Sequence, residues 1–156
     1  MKPSRHLDRE IAMKAFFTWD FRTGDEEKKT LAAYADDVIQ EFFADYVKTP
    51  FFESLVTGME KEYEKIAGTI TTFAPEWPID KINSIDKAIL WVGTYEMLYE
   101  QDVPPVVIIN EAIETSKKYG NENSSKFING VLNSMYKLTR EQPDTDANKT
   151  TQHTGS

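Results

Sequence analysis

The sequence predicts an all-α protein, a single-domain bundle of six or seven helices. Apolar residues recur at helical spacing in every long segment, and no segment alternates as a half-buried strand would. Breaks containing proline or glycine separate these segments. The chain has 156 residues and 40% hydrophobic content, which fits one domain with its own core.

The first half of the chain predicts three helices. The first begins near residue 8 and is interrupted at Gly24. The second carries an apolar stripe from Leu31 to Tyr46 and ends before Pro50, because proline disfavours a helical predecessor. The third carries the apolar positions of residues 52–70.

The second half begins with a break at residues 74–78, which contain two prolines, and a single short turn follows at residues 78–82. Ser84 is the predicted N-cap of the next helix. Another break at residues 102–105 precedes a helix in which Pro105 takes the first position, where its missing N–H costs nothing.

A polar turn joins the last two helices. Gly120 is predicted to end the first in the left-handed conformation, and Ser124 to cap the second. Gly130 lies in the middle of the last helix and is predicted to pack against the helix before it, offsetting the cost of a helical glycine.

The domain boundary is predicted at residue 142. Residues 1–142 form the helical domain, and residues 143–156 are polar, carry no apolar stripe and are predicted to be a disordered tail. The chain has no cysteine, no apolar run long enough to span a bilayer and no leader. A cytoplasmic protein without a membrane partner is therefore expected.

Charge is distributed unevenly along the chain. The formal net charge is −8, which disfavours a nucleic-acid partner. Residues 1–19 nevertheless carry four bases against two acids, whereas residues 20–64 carry twelve acids against five bases. The basic end can still bind a polyanion, because screening shortens the reach of distant charges.

Catalysis is not expected. The two histidines lie at opposite ends of the chain, no cysteine is available as a nucleophile, and the glycines form no phosphate loop. The acidic residues of the second helix are interpreted as a solvated face, since a carboxylate-bridged metal site would also need a histidine partner. We therefore expect no catalytic residues, no bound metal and no cofactor.

Three blocks of sequence resemble, in order and spacing, the NusB family of transcription antitermination factors. The blocks are residues 5–19 (RHLDREIAMKAFFTW), residues 74–98 (from APEW to TYEML) and residues 103–132 (from VP through INEAI and YG to SSKFINGVL). The resemblance implies an all-α fold and an adaptor that binds single-stranded boxA RNA of ribosomal RNA leaders together with NusE, a small-subunit ribosomal protein. The resemblance further implies that this complex joins the elongating RNA polymerase.

Two alternatives stay open. A NusB-like domain also opens certain ribosomal RNA cytosine methyltransferases, which would make this chain a fragment lacking a cofactor-binding domain. A protein-interaction module independent of RNA is the other, suggested by the net charge of −8 and the few arginines near the N-terminus. The oligomeric state is open as well, with a homodimer as one option.

The resemblance also implies site residues. Guanidinium groups suit phosphate and aromatic rings suit bases, and the implied RNA-binding residues are Lys2, Arg5, His6, Arg9, Phe17, Lys126 and Phe127. The implied protein-partner residues are Asp86, Tyr119, Asn123 and Ser124. Three positions depart from the family pattern: Asp8 in the arm, Trp91 where arginine is common, and Asn123 where an acid is frequent.

Overall fold

The computed structural model describes residues 4–141, which fold into seven α-helices without a strand, so the predicted all-α bundle is confirmed. A short 3-10 helix (Ile79–Lys81) precedes α5, and a π-helical turn (Lys137–Glu141) follows α7. Lys2 and the predicted tail, residues 143–156, lie outside the described residues. The helices are α1 (Arg5–Phe21), α2 (Leu31–Phe42), α3 (Pro50–Lys61), α4 (Tyr63–Phe73), α5 (Ser84–Tyr99), α6 (Pro105–Tyr119) and α7 (Ser124–Tyr136).

Helix α5 is the centre of the bundle. Every residue from Asp86 to Met97 is buried, because α1, α3, α4, α6 and α7 all pack against this helix. Trp91 is fully buried and stacks on Phe16 of α1 with 4.7 Å between ring centroids. Its indole N–H donates to the Met59 carbonyl at 3.1 Å. The tryptophan that replaces the family's usual arginine is therefore a core residue.

Two buried polar side chains, Asp8 and Arg140, attach irregular segments of the chain to the helices. Asp8 of α1 is 1% exposed and accepts hydrogen bonds from the Tyr46 hydroxyl at 2.6 Å and the Thr49 hydroxyl at 2.9 Å. Its carboxylate therefore holds the segment after α2. Arg140 donates to the carbonyls of Gln101 at 3.0 Å and Val103 at 2.6 Å, which ties the chain after α7 to the end of α5.

Several helix boundaries differ from the predictions. Helix α1 begins at Arg5 rather than near residue 8, and the second stripe stops being helical at Phe42. The third stripe is two helices, broken at Glu62. Asn83 rather than Ser84 caps α5, because its side-chain oxygen accepts from the Ile85 N–H at 2.8 Å. The short turn at residues 79–81 and Pro105 at the start of α6 agree with the predictions.

The polar turn between α6 and α7 also differs in detail. Gly120 has a φ of −89°, so its backbone is not in the left-handed conformation. Glycine is needed there because the Ser124 side chain packs close to its Cα. A Cβ there would lie 2.6 Å from the Ser124 Cβ. Ser124 is the first residue of α7 rather than its cap, and its hydroxyl accepts from the Asn121 N–H at 3.0 Å.

The predicted packing role of Gly130 is wrong. Gly130 is exposed, and a Cβ built on it meets no atom within 4 Å. Gly58 of α3 is the glycine that permits close packing, because a Cβ there would lie within 2.6 Å of the Tyr95 ring carbon Cζ. Helical position alone does not show which face of a helix is covered.

These two glycines are expected to respond oppositely to alanine. Gly130→Ala should raise the free energy of unfolding by up to about 1 kcal/mol, since the helix gains propensity without a clash. Gly58→Ala should lower it by about 1–3 kcal/mol, because the Tyr95 ring must move. Urea unfolding of both variants checks this, and a stabilised Gly58→Ala chain would contradict the packing of α3 on α5.

Candidate nucleic-acid and partner interface

The N-terminal turn of α1 presents the predicted RNA arm. The Arg5 side chain is exposed, with its guanidinium carbon 4.2 Å from the Phe51 ring centroid. His6 is half-exposed, and its Nδ1 lies 2.7 Å from Oε1 of Glu111 on α6. Both side chains are accessible to a ligand and are already oriented by a neighbour.

Arg9 does not share this exposure. It is 7% exposed, and its guanidinium makes two hydrogen bonds of 2.8 Å to the Glu96 carboxylate of α5, itself 1% exposed. Burial lowers the pKa of Arg9, but the hydrogen bonds and charge of Glu96 outweigh it and hold that pKa above its ordinary value. The structure therefore places Arg9 inside the bundle, occupied by a partner within the chain, rather than on a surface open to phosphate.

Tyr119 joins the arm to the α6–α7 turn. Its hydroxyl donates to the carboxylate of Glu10, which also accepts from Lys118 Nζ at 3.1 Å. The Nζ of Lys14 lies 4.3 Å from the Tyr119 ring centroid. Burial raises the pKa of Glu10, but the hydrogen bonds from Tyr119 and Lys118 outweigh it, so the pKa is lowered. The polar group of this predicted partner residue is thus already paired within the bundle.

The other predicted partner residues meet where α5 and α7 begin. Asp86 is 6% exposed, and its Oδ1 has no hydrogen-bond partner. Burial raises the pKa of Asp86, against the opposing effect of a hydrogen bond from Ser124. Ser124 is 1% exposed and Asn123 is exposed. Asn123 is therefore accessible at the surface, and Asp86 lies in the wall of a cleft. Ser124 is buried beneath the turn, where its hydroxyl accepts the hydrogen bond from the Asn121 N–H.

Phe127 forms an aromatic pair with Trp77, which lies in the break predicted at residues 74–78. The rings meet edge to face with centroids 6.2 Å apart, and Trp77 is 50% exposed. Two clefts, of about 380 and 550 Å³, share Trp77, Asn123 and Phe127 in their walls. The two clefts thus bring Phe127, a predicted RNA residue, and Asn123, a predicted partner residue, to one surface.

Phe17 and Lys126 are both exposed, so their predicted RNA contacts stay open as predictions. Phe17 lies on α1 and is 36% exposed. Lys126 lies on α7, in the wall of the larger cleft. The sequence signal that could have found Trp77 is a large aromatic residue between two prolines. For Glu96 it is a single charged residue in the otherwise uncharged stretch 88–99 of α5.

The fold and this surface define a helical binding protein whose exposed site is made of cations, aromatic rings and amides. The chain belongs to the NusB family, because the family model described as NusB matches residues 6–137. The "Transcription antitermination protein NusB" of Desulfosudis oleivorans is 34% identical over 137 residues, covering 86% of each chain.

Solved structures share the fold. A structure of T. maritima NusB matches with a TM-score of 0.78 and 30% identity, covering 93% of this chain and 99% of that one. Antitermination factors NusB and NusE in complex with double-stranded RNA include a chain that matches with a TM-score of 0.72 and 23% identity, covering 85% of this chain and 96% of that one. At that identity the second likeness concerns the fold.

Glu10→Gln should destabilise the chain in a pH-dependent way. At pH 7 the loss of the charged acceptor for Tyr119 and Lys118 should cost about 1.5–3 kcal/mol. Because the folded pKa of Glu10 lies below its unfolded value of 4.5, the contribution is present above that pH and is lost as the pH falls through the folded pKa. The difference in unfolding free energy between parent and variant should therefore shrink as the pH falls below 4.5.

Glu114→Gln is the matched control, since Glu114 is an exposed residue of the same helix as Tyr119. It should match the parent at every pH. A gap between Glu10→Gln and the parent that stays constant down to pH 3 would show that Glu10 is not ionised in this network.

Proposed function

We propose that this chain is a transcription antitermination factor that binds boxA-type single-stranded RNA of ribosomal RNA leaders jointly with NusE. It acts as a non-catalytic adaptor and reaches the elongating RNA polymerase through that complex. The observation that carries the proposal is the family match over residues 6–137, with relatives that bear the name of a transcription antitermination protein.

The RNA side of the proposal rests on the start of α1. Arg5 offers an exposed guanidinium with forked donors for phosphate, and His6 adds a half-exposed imidazole beside it. Phe17 and the Phe127–Trp77 pair offer ring faces or edges for unpaired bases. Arg9 is left out of the RNA contacts, because its Nε–H and Nη2–H groups both donate to the buried Glu96 carboxylate.

The partner side rests on the α6–α7 turn and the start of α5. Asn123 is exposed there, and the carboxylate of Asp86 lies in the wall of the adjoining cleft. An acidic chain with a formal net charge of −8 suits a basic ribosomal protein, and such a partner would extend the positive track beside the arm. Residues 1–142 are proposed as the working domain, and the cytoplasm as its location.

The coverage of the relatives bears on the alternative of a methyltransferase fragment. The relatives named for antitermination are matched over most of their own length, 86% in one case and 94% in another, which favours the factor over a methyltransferase fragment. No helix within residues 4–141 is long and apolar enough to cross a membrane. An RNA-independent interaction module remains the contrasting outcome of the binding test below.

Arg5→Ala should weaken boxA RNA binding roughly tenfold, which corresponds to about 1.4 kcal/mol. It should also reduce the magnitude of the slope of log K against log salt by about 0.7, the value of one phosphate contact on a single strand. Fluorescence anisotropy with a boxA-like RNA, with and without NusE and over a salt series, measures both quantities.

Arg22→Ala is the matched control. Arg22 is also a partly exposed arginine, but it lies at the C-terminal end of α1, and its guanidinium is paired with the Asp25 carboxylate at 2.7 Å. It should bind RNA as the parent does. If the parent chain shows no RNA binding even with saturating NusE, the RNA-independent module replaces the proposed function. If Arg5→Ala binds with the parent's affinity and salt slope, the arm is not the RNA site.

A further inference from the structure

The His6 side chain at the start of α1 is held by a carboxylate from another helix. Its Nδ1 lies 2.7 Å from Oε1 of Glu111, which is 105 residues further along the chain on α6. The Glu111 side chain is 26% exposed, against 51% for that of His6. The better-buried carboxylate therefore orients the imidazole ring, and the ring stays accessible to a ligand.

The Glu111 carboxylate has a second neighbour on α1 that leaves its oxygen free for His6. Nη1 of Arg9 lies 3.9 Å from the same Oε1, which is beyond hydrogen-bond distance. The Nε–H and Nη2–H groups of Arg9 both donate to Glu96. Arg9 thus places a positive charge beside Glu111 without taking the oxygen that His6 contacts.

The contact with Glu111 decides which nitrogen of His6 can reach a phosphate. Glutamate is ionised at neutral pH, and an ionised carboxylate accepts hydrogen bonds but donates none. The hydrogen of a neutral ring must therefore be on Nδ1, which leaves Nε2 with a lone pair. A phosphate oxygen is an acceptor as well, so the neutral ring offers it no hydrogen bond. A second proton, on Nε2, makes that nitrogen a charged donor of the kind that binds phosphate strongly.

The charges around the ring favour a proton that arrives together with a phosphate. Oε1 of Glu10 lies 4.0 Å from Nε2, too far for a hydrogen bond, and its other oxygen accepts from Lys118 and Tyr119. On α3 the nearby group is the uncharged Phe51 ring beneath Arg5. The charged groups are Arg5, Arg9 and Glu10 of α1, Glu111 and Lys118 of α6, and Glu96 of α5. These three cations and three anions balance, so a docked phosphate supplies the negative charge that stabilises the imidazolium.

We propose that Glu111 is a positioning residue of the RNA site, and that it restricts His6 to contacting a backbone phosphate in the protonated form. RNA binding is then coupled to the uptake of a proton and strengthens as the pH falls through the range in which histidine titrates. The inference rests on the proposed function, because boxA-type RNA is the ligand concerned. It adds Glu111 to the RNA site and makes the arm sensitive to pH.

The first measurement is the RNA affinity over a pH series at constant ionic strength. Fluorescence anisotropy with a boxA-like RNA and saturating NusE should show the parent chain binding roughly tenfold more tightly at about pH 6 than at about pH 8, the effect of one charge-assisted hydrogen bond. His6→Arg carries its charge at both values, so its affinity should change by less than about twofold. That variant also supplies the baseline for protons bound elsewhere in the complex.

Glu111→Gln distinguishes positioning of the ring from support of the fold. Its amide can donate to Nδ1, which lets a neutral ring carry its hydrogen on Nε2 and offer it to phosphate at any pH. The affinity ratio between the two pH values should therefore fall to about twofold or less, with the gain at the higher pH. Loss of a merely structural contact would lower the affinity at both values and leave the ratio unchanged.

Glu114→Gln is the matched control, since Glu114 is an exposed acid of the same helix. It should keep the parent's ratio. Calorimetric titration at neutral pH in two buffers of different ionisation heat supplies a second measurement, because it counts the protons taken up on binding. The parent and Glu114→Gln should take up protons when they bind RNA, Glu111→Gln should take up fewer, and His6→Arg should show the baseline alone.

The outcomes separate this inference from the proposed function. If the parent chain binds RNA with the same affinity across the pH series, or if Glu111→Gln keeps the parent's ratio, the positioning role of Glu111 is rejected and the proposed function stands. If the parent chain does not bind RNA even with saturating NusE, the proposed function fails and this inference fails with it.

Discussion

The buried ion pair between Arg9 and Glu96 is the constraint on which the rest of the structure depends. It joins α1 to the central helix α5 through two hydrogen bonds of 2.8 Å, in a place where neither side chain is more than 8% exposed. Burying both charges is costly, so the pair is stable only because its geometry is bidentate. With α1 fixed in this way, Arg5 and His6 are presented to solvent from a rigid helical turn.

The helical bundle was predictable because its core obeys helical periodicity. The ends of the individual helices were less predictable, because contacts with side chains distant in the sequence decide where each helix stops. The second stripe ends at Phe42, and Tyr46 lies in a loop that is held by a hydrogen bond to Asp8 of α1. Gly130 and Gly58 are both helical glycines, yet only the latter faces a packed ring. A single helix does not reveal which of its faces another element covers.

Resemblance rather than periodicity assigns the candidate site to the start of α1 and the α6–α7 turn. The structure joins these two places through the Tyr119–Glu10 hydrogen bond. The resemblance assigned Arg9 to RNA by position, because nothing local indicates a partner 87 residues away. The two prolines around Trp77 predict only a break, and nothing local in the sequence indicates that its ring pairs with Phe127 of α7.

The most direct test of this account is a double-mutant cycle on the ion pair, measured by urea unfolding with Arg9→Met, Glu96→Met and the double variant. Each single change should cost about 3–5 kcal/mol by leaving a buried charge unpaired, and the double variant should recover much of that loss. RNA affinity of the folded double variant should stay within a few-fold of the parent. Additive, small stability changes combined with a large loss of RNA affinity would contradict the account and make Arg9 a phosphate contact.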